Sequence, residues 1–95
     1  MIHFLIHSPQ DSVGVAVVDL VAGQQCRGVE MENGREIQLV ARTDVPLGHK
    51  IALSDLAPDQ PVLKYGLPIG KATQKIARGE CVHVHNLCSR RWQAK

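Results

Sequence analysis

The 95-residue sequence has few aromatic side chains, only Phe4, Tyr65 and Trp92. Its core must therefore be built from aliphatic side chains, which are plentiful because hydrophobic residues make up 44% of the chain. Proteins that bind single-stranded nucleic acid stack its bases on aromatic side chains, so this composition argues against that function. The net charge of +2 is also too small for a general nucleic-acid-binding surface.

Long hydrophobic runs are also absent, and none approaches the roughly 20 residues that a membrane-spanning helix needs. The apolar stretch at residues 1–6 is too short for a signal peptide, because a proline and polar residues follow at 9–11. The cysteines are odd in number and lack C-x-x-C spacing, which favours reduced thiols: Cys26, Cys81 and Cys88. We therefore expect a soluble, cytoplasmic protein.

A chain of this length forms one domain, residues 1–95, which lines one side of a substrate pocket more easily than it encloses one. Short β-prone runs alternate with turn signals, and residues 73–77 form one helical turn at most. Residues 13–21 predict the longest buried strand, and Asn33 with Gly34 predicts a hairpin. The expected fold is mostly β, a compact barrel-like or clip-like arrangement of short strands.

Residues 44–53 and 75–84 form an internal repeat in which an aliphatic residue is followed, three positions later, by a glycine and then by a strand. Residues 20–23 are a weaker third copy. The alignment predicts that Val82 and Val84 face the core. His83 and His85 would then share the opposite, polar face of one strand, because side chains alternate along a strand.

On one strand, two such histidines lie roughly 6–7 Å apart at Cα, so both rings could reach one metal ion or one substrate. His83 and His85 are weak candidates for metal ligands, because a metal site needs a third protein ligand that the local sequence does not provide. The pattern is also compatible with a surface pair of histidines, and with acid–base or substrate-binding work at a subunit boundary.

Two turns carry further candidates. His49 offers a proton carrier and Lys50 a cation beside a glycine, although the same residues also suit a solvated turn. Lys64 offers a cation for a carboxylate and Tyr65 a phenol donor, although the Tyr65 ring could instead pack over the small core.

Two other segments favour less specific interpretations. Asp and Ser at residues 11–12 are interpreted as structural, because these residues hydrogen-bond to their own backbone in turns. The basic tail, residues 90–95, is a solvated segment or a segment that docks on an acidic partner surface.

Three segments in this order, residues 44–53, 64–72 and 79–87, resemble the SAF-type N-terminal domain of the altronate and galactarate dehydratase family. The resemblance covers nearly the whole chain and implies a β-clip fold. In these dehydratases the domain is often fused to a much larger catalytic part. A chain that stops here resembles the split arrangement, in which a small subunit pairs with a large one, as in the sulfolactate sulfo-lyases.

The resemblance implies the small subunit of a lyase, inactive alone, that removes water from a hydroxy-carboxylic acid of the altronate or galactarate type. One alternative is the small subunit of a (2R)-sulfolactate sulfo-lyase, which releases sulfite. Another is a non-catalytic SAF-type carbohydrate-binding or assembly module. The family also implies a divalent metal, iron, held mostly by the large subunit, and it leaves a homo-oligomer open.

Elimination next to a carboxylate develops charge that cations or a metal must stabilise, and a departing hydroxyl must be protonated. The family's histidines and lysines meet these demands. The catalytic residues implied by the resemblance are His83, His85 and His49. The implied substrate-binding residues are Lys50, Lys64, Tyr65 and Asn86.

Overall fold

The computed structural model describes residues 1–89, which form nine β-strands and no helix. The mostly β fold expected from the sequence is therefore confirmed. No helix in this range is long and apolar enough to cross a membrane. The strands are β1 Phe4–Ile6, β2 Val13–Ala16, β3 Gln25–Glu30, β4 Glu36–Val40, β5 Lys50–Ala52, β6 Pro61–Lys64, β7 Leu67–Ala72, β8 Cys81–Val82 and β9 Leu87–Ser89.

The strands form two sheets. Six strands pair in the order β4-β3-β1-β2-β5-β8, and three in the order β6-β7-β9. The predicted hairpin is confirmed, because β3 and β4 pair antiparallel and Gly34 in their connection has a φ of 74°. The strand predicted over residues 13–21 already ends at Ala16, where the chain leaves the sheet to form a loop.

The internal repeat is confirmed, and it has four copies rather than three. Each loop begins at a buried aliphatic residue and reaches a positive φ three residues later, at Gly23, Gly48, Asp59 and Gly79. The aliphatic residues pair through backbone bridges, Leu20 with Val45 and Leu56 with Ile76. The third copy in chain order escaped sequence comparison because an aspartate stands where the others have glycine. The fourth copy occupies the segment predicted to form a helical turn.

Aspartates directly before three of the four aliphatic residues tie the paired loops together. Each carboxylate accepts a backbone N–H from the partner loop: Asp19 from Leu47 at 2.8 Å, Asp44 from Ala22 at 2.9 Å, and Asp55 from Arg78 at 2.8 Å. The fourth position is Lys75, and the equivalent partner, Pro58, has no N–H to donate. The paired loops thereby hold the first residues of β5 and β8 in place.

The core consists of two clusters of buried, mostly aliphatic side chains. Phe4, Leu20 and Ile51 belong to the first cluster, and Leu56 and Ile76 to the second. Phe4 is the one aromatic side chain among the described residues of the first cluster, and it is fully buried. The aliphatic core expected from the composition is therefore confirmed.

The prediction that one strand carries both His83 and His85 is wrong. β8 ends at Val82, and residues 83–86 form a turn in which the Asn86 N–H donates to the His83 carbonyl at 3.1 Å. Val84, predicted to face the core, is 76% exposed. The prediction failed because β5 offers β8 only two partner residues, so the chain after Val82 has no strand to pair with. His83 and His85 therefore do not share one face of a strand.

Candidate functional site

An open cleft of about 330 Å³ between the second and fourth loops contains the three predicted catalytic histidines. His49 directly precedes β5 and His83 directly follows β8. Because β5 and β8 pair antiparallel, these ends meet. The two rings stack with centroids 4.1 Å apart and an interplanar angle of 26°. His85 lines the same cleft. Residues far apart in sequence are thus brought together by the pairing of two short strands.

Cys81 belongs to this cleft, although the sequence analysis did not select it as a site residue. Its Sγ lies 3.8 Å from Nδ1 of His49. Partial burial raises the pKa of the Cys81 thiol, and the nearby Lys50 ammonium lowers it in part. The thiol is therefore protonated near neutral pH and can donate a hydrogen bond to His49.

The His83 ring favours the neutral form. Partial burial lowers the pKa of His83 from its ordinary value of 6.5, and positive charge on His49, Lys50 and His85 lowers it further. A neutral imidazole at pH 7 can accept a proton, which is the state that a general base requires.

Lys50 directly follows His49 of the histidine cleft, and Lys64 is electrostatically coupled to Lys50. Partial burial lowers the pKa of Lys50, the charge of Lys64 lowers it further, and Cys81 opposes the shift. Among residues 1–89 the ion pairs are Arg27–Glu36, Arg35–Glu30 and Lys71–Asp59, so neither lysine is paired with a carboxylate of this region. Two electrostatically coupled ammonium groups that have no carboxylate partner among residues 1–89 are an arrangement that attracts an anion.

Tyr65 lies on the turn between β6 and β7, and its side chain is exposed. Its ring stacks on His7 with centroids 4.0 Å apart, and the Lys64 Nζ lies 5.4 Å from its centroid. The alternative in which this ring packs over the core is therefore wrong. His7 was not selected as a site residue, because no sequence pattern links it to a turn so distant along the chain.

The Asn86 side chain holds the backbone of the turn at residues 83–86. It is fully buried, its Oδ1 accepts the His83 N–H at 2.9 Å, and its Nδ2 donates to the Cys81 carbonyl at 2.9 Å. The predicted contact with substrate does not fit this geometry, because both ends of the amide are occupied by backbone groups. Asn86 instead fixes the turn that carries His83 and His85.

The described residues do not fit a metal ion held by this chain alone. Within residues 1–89, no group of three or more His, Cys, Asp or Glu side chains has the arrangement of a metal site. The two carboxylates that line the histidine cleft already accept backbone N–H bonds, Asp44 from Ala22 and Glu80 from Ala77. The basic tail, for which docking on an acidic partner was considered, lies outside the described residues.

The fold and a family model together define the class of protein. The model of the altronate/galactarate dehydratase SAF domain matches residues 2–90. The chain therefore belongs to this family of SAF domains, and the resemblance seen in its motifs is confirmed.

Individual relatives match different shares of their own length. The chain is 46% identical over 92 residues to (2R)-sulfolactate sulfo-lyase subunit alpha of Chromohalobacter salexigens, covering 96% of this chain and 98% of that protein. It is 38% identical over 64 residues to the same subunit of Paracoccus pantotrophus, covering 67% and 96%. It is 46% identical over 76 residues to altronate dehydratase of Escherichia coli, covering 80% of this chain but only 14% of that enzyme. These relatives are lyases or subunits of lyases.

Proposed function

We propose that this chain is the small subunit of a two-subunit lyase that releases sulfite from (2R)-sulfolactate. The observation that carries the proposal is the match to nearly the full length of a sulfo-lyase subunit alpha, at 46% identity. This choice favours the alternative over the dehydration that the sequence analysis put first. The uncompensated Lys50 and Lys64 support it, because sulfolactate carries two anionic groups, a carboxylate and a sulfonate.

The reaction is an elimination. A base removes the proton from C2, the carbon next to the carboxylate, and these electrons form the C2=C3 double bond. The C3–S bond breaks and its electron pair leaves on sulfite. The resulting enol takes up a proton at C3 and loses its hydroxyl proton, which gives pyruvate. Because sulfite departs without being protonated, binding the anions matters more here than supplying a general acid.

The described side chains suit these steps. His83 accepts the C2 proton, since its lowered pKa keeps the ring neutral. His49 stacks against His83 and orients it, and His85 lines the same cleft. Lys50 and Lys64 stabilise the charge on the carboxylate and the sulfonate.

A large subunit is needed to complete this site. The histidine cleft is open, so further protein must cover a substrate that is bound there. The divalent metal that the family resemblance implies would have its ligands on the large subunit, because the residues described in this chain form no three-ligand group.

The proposal is tested with the two subunits mixed, using (2R)-sulfolactate, altronate and galactarate as substrates. We expect sulfite and pyruvate from sulfolactate only. His83→Ala should lower turnover by about 10²-fold or more, as is typical for loss of a general base, whereas Lys75→Ala on an exposed loop should not change it. Unchanged turnover in both His83→Ala and His85→Ala would contradict a catalytic role for these histidines.

Dehydration of a sugar acid is the second candidate function, and it is favoured by the 46% identity to an altronate dehydratase. A departing hydroxyl needs a proton, which His49, stacked on His83, could supply. Conversion of altronate or galactarate without any release of sulfite from sulfolactate would establish this function in place of the first.

A further inference from the structure

Tyr65 has an unusual backbone conformation for a bulky residue. Its φ is 58° and that of Gly66 is 72°, and the two form the whole connection between the paired residues Lys64 and Leu67. Hairpins of this kind favour Asn-Gly, because both central residues have positive φ. A large side chain in this region is strained, and it persists only where its surroundings hold it in place.

Asp11 holds this turn. Its carboxylate is buried and accepts the Tyr65 N–H at 3.0 Å and the Gly66 N–H at 2.8 Å. The same carboxylate accepts the N–H of Ser8 at 3.2 Å and its hydroxyl at 3.1 Å. One side chain thus joins residues 8–11 to a turn that lies 54 and 55 positions further along the chain.

This junction places three polar side chains together at the surface. The Tyr65 ring lies on the His7 ring with an interplanar angle of 17°, and Lys64 lies over the same Tyr65 ring. The Tyr65 side chain is 61% exposed, so packing in the core does not account for the arrangement. Lys64 is also electrostatically coupled to Lys50, which directly follows His49 of the histidine cleft.

We propose that His7, Lys64 and Tyr65 form a second arm of the substrate site, the His7 arm, which binds one anionic group of the substrate, and that Asp11 is the positioning residue that holds it. The inference rests on the proposed lyase function. A ring N–H of His7 and the Tyr65 hydroxyl donate to a carboxylate or sulfonate oxygen, and Lys64 supplies the charge. The His7 arm and the histidine cleft then hold the two ends of a dianionic hydroxy acid.

The first test uses His7→Phe in the reconstituted lyase. This change keeps a ring on Tyr65 but removes the ring nitrogens. We expect KM to rise about tenfold with a smaller change in kcat, since the lost interaction serves binding, and we expect Tyr65→Phe to act in the same direction. Lys75→Met is the matched surface control. An unchanged KM in His7→Phe, with the complex intact, would overturn the proposal.

The same series is run on whichever acid the unsubstituted pair converts, so failure of the sulfolactate assignment does not affect this test. A second measurement needs no turnover. In NMR spectra of the full chain, the Tyr65 ring current shifts the ring protons of His7. Asp11→Asn turns one acceptor atom into a donor that faces N–H groups, so these protons should move towards the values of an unstacked histidine.

The KM of the Asp11→Asn lyase should rise together with this shift. A purely structural residue far from the site would not be expected to change KM. If Asp11→Asn does not fold, Ser8→Ala removes one of the four hydrogen bonds and should move both readouts in the same direction by less. Unchanged His7 shifts and unchanged KM in the folded variant would contradict the positioning role of Asp11.

Discussion

Two turns that carry side chains of the candidate site are held in different ways. The turn at residues 83–86 carries His83 and His85 and is closed by Asn86, which lies within the turn itself. The turn at residues 64–67 is held by Asp11, whose nearest partner in this turn is 54 positions away in sequence. Both anchors are buried polar side chains that bond to backbone groups.

This difference shows how the two halves of the site depend on the rest of the fold. A local anchor such as Asn86 shapes its own turn as soon as the surrounding strands form. A remote anchor such as Asp11 acts only after the N-terminal segment has docked against β6 and β7. Changes that destabilise the whole fold should therefore disturb the His7 arm more than the turn at residues 83–86.

The largest expected effect is that of Asp11→Ala. The change leaves the N–H groups of Tyr65, Gly66 and Ser8 without their acceptor. Hydrogen bonds to a charged group contribute a net free energy of about 1.5–3 kcal/mol each, and less where water can take the place of the acceptor. We expect a loss of about 3 kcal/mol in the free energy of unfolding of the full chain, measured with denaturant. Asp55→Ala is the control. It removes one exposed hydrogen bond from the Arg78 backbone N–H, so we expect it to lower the free energy of unfolding by about 1 kcal/mol. Equal losses in the two variants would contradict the anchoring role of Asp11.

Asn86→Ala should have the next largest effect. It removes the side-chain partner of the half-buried Cys81 carbonyl and of the His83 N–H, so we expect a loss of about 2 kcal/mol by the same measurement. Asn86→Asp is the matched variant, because it keeps the acceptor for His83 but points an oxygen at the Cys81 carbonyl. A cost for Asn86→Ala no greater than that of Asp55→Ala would show that this turn is held by something other than Asn86.

The electrostatics of the 83–86 turn predict a smaller, pH-dependent effect. Because the pKa of His83 is lowered in the folded chain, the unfolded state binds more protons at pH values just below 6.5. Stability should therefore fall as the pH drops through 6.5 towards the folded-state pKa. His83→Gln should weaken this dependence in denaturant unfolding followed over pH, and identical pH profiles would contradict the assigned direction of the shift.

The smallest expected effect tests the electrostatic coupling between Lys64, on the turn at residues 64–67, and Lys50, at the start of β5. Lys64→Met removes one of the causes that lower the pKa of Lys50, so this pKa should rise towards its ordinary value of 10.5. The titration is followed by NMR of the Lys50 side chain, with Lys75→Met as the control. A Lys50 pKa that does not change in Lys64→Met would show that the His7 arm and the histidine cleft are not electrostatically coupled.

The fold was predictable from the sequence wherever its signals were local. Glycines three residues after an aliphatic residue revealed the repeat, and Asn33 with Gly34 revealed a hairpin. The third loop was missed because Asp59 adopts the positive φ that glycine takes elsewhere. The strand through His83 and His85 was wrong because strand length depends on a partner strand, which a single segment of sequence does not show.

The sequence suggested residue types for the candidate site but not how they are arranged in space. The histidines of the cleft and the two lysines were selected as proton carriers and cations, and the family resemblance then linked them to elimination from a hydroxy acid. Their proximity to Cys81 and the stack of His7 on Tyr65 depend on strand pairing and on Asp11, whose partners are remote. Asp11 was interpreted as structural, and its hydrogen bonds to the backbone of Tyr65 and Gly66 confirm this.

We propose that this chain supplies one wall of a lyase active site through Lys50, Lys64 and the histidine cleft. The most direct measurement is kcat/KM of the reconstituted pair with Lys50→Met and Lys64→Met combined, beside Lys75→Met. Loss of two charge-assisted contacts predicts a fall of about 10²-fold or more, with the two subunits still associated. A kcat/KM equal to that of the Lys75→Met control would contradict the account.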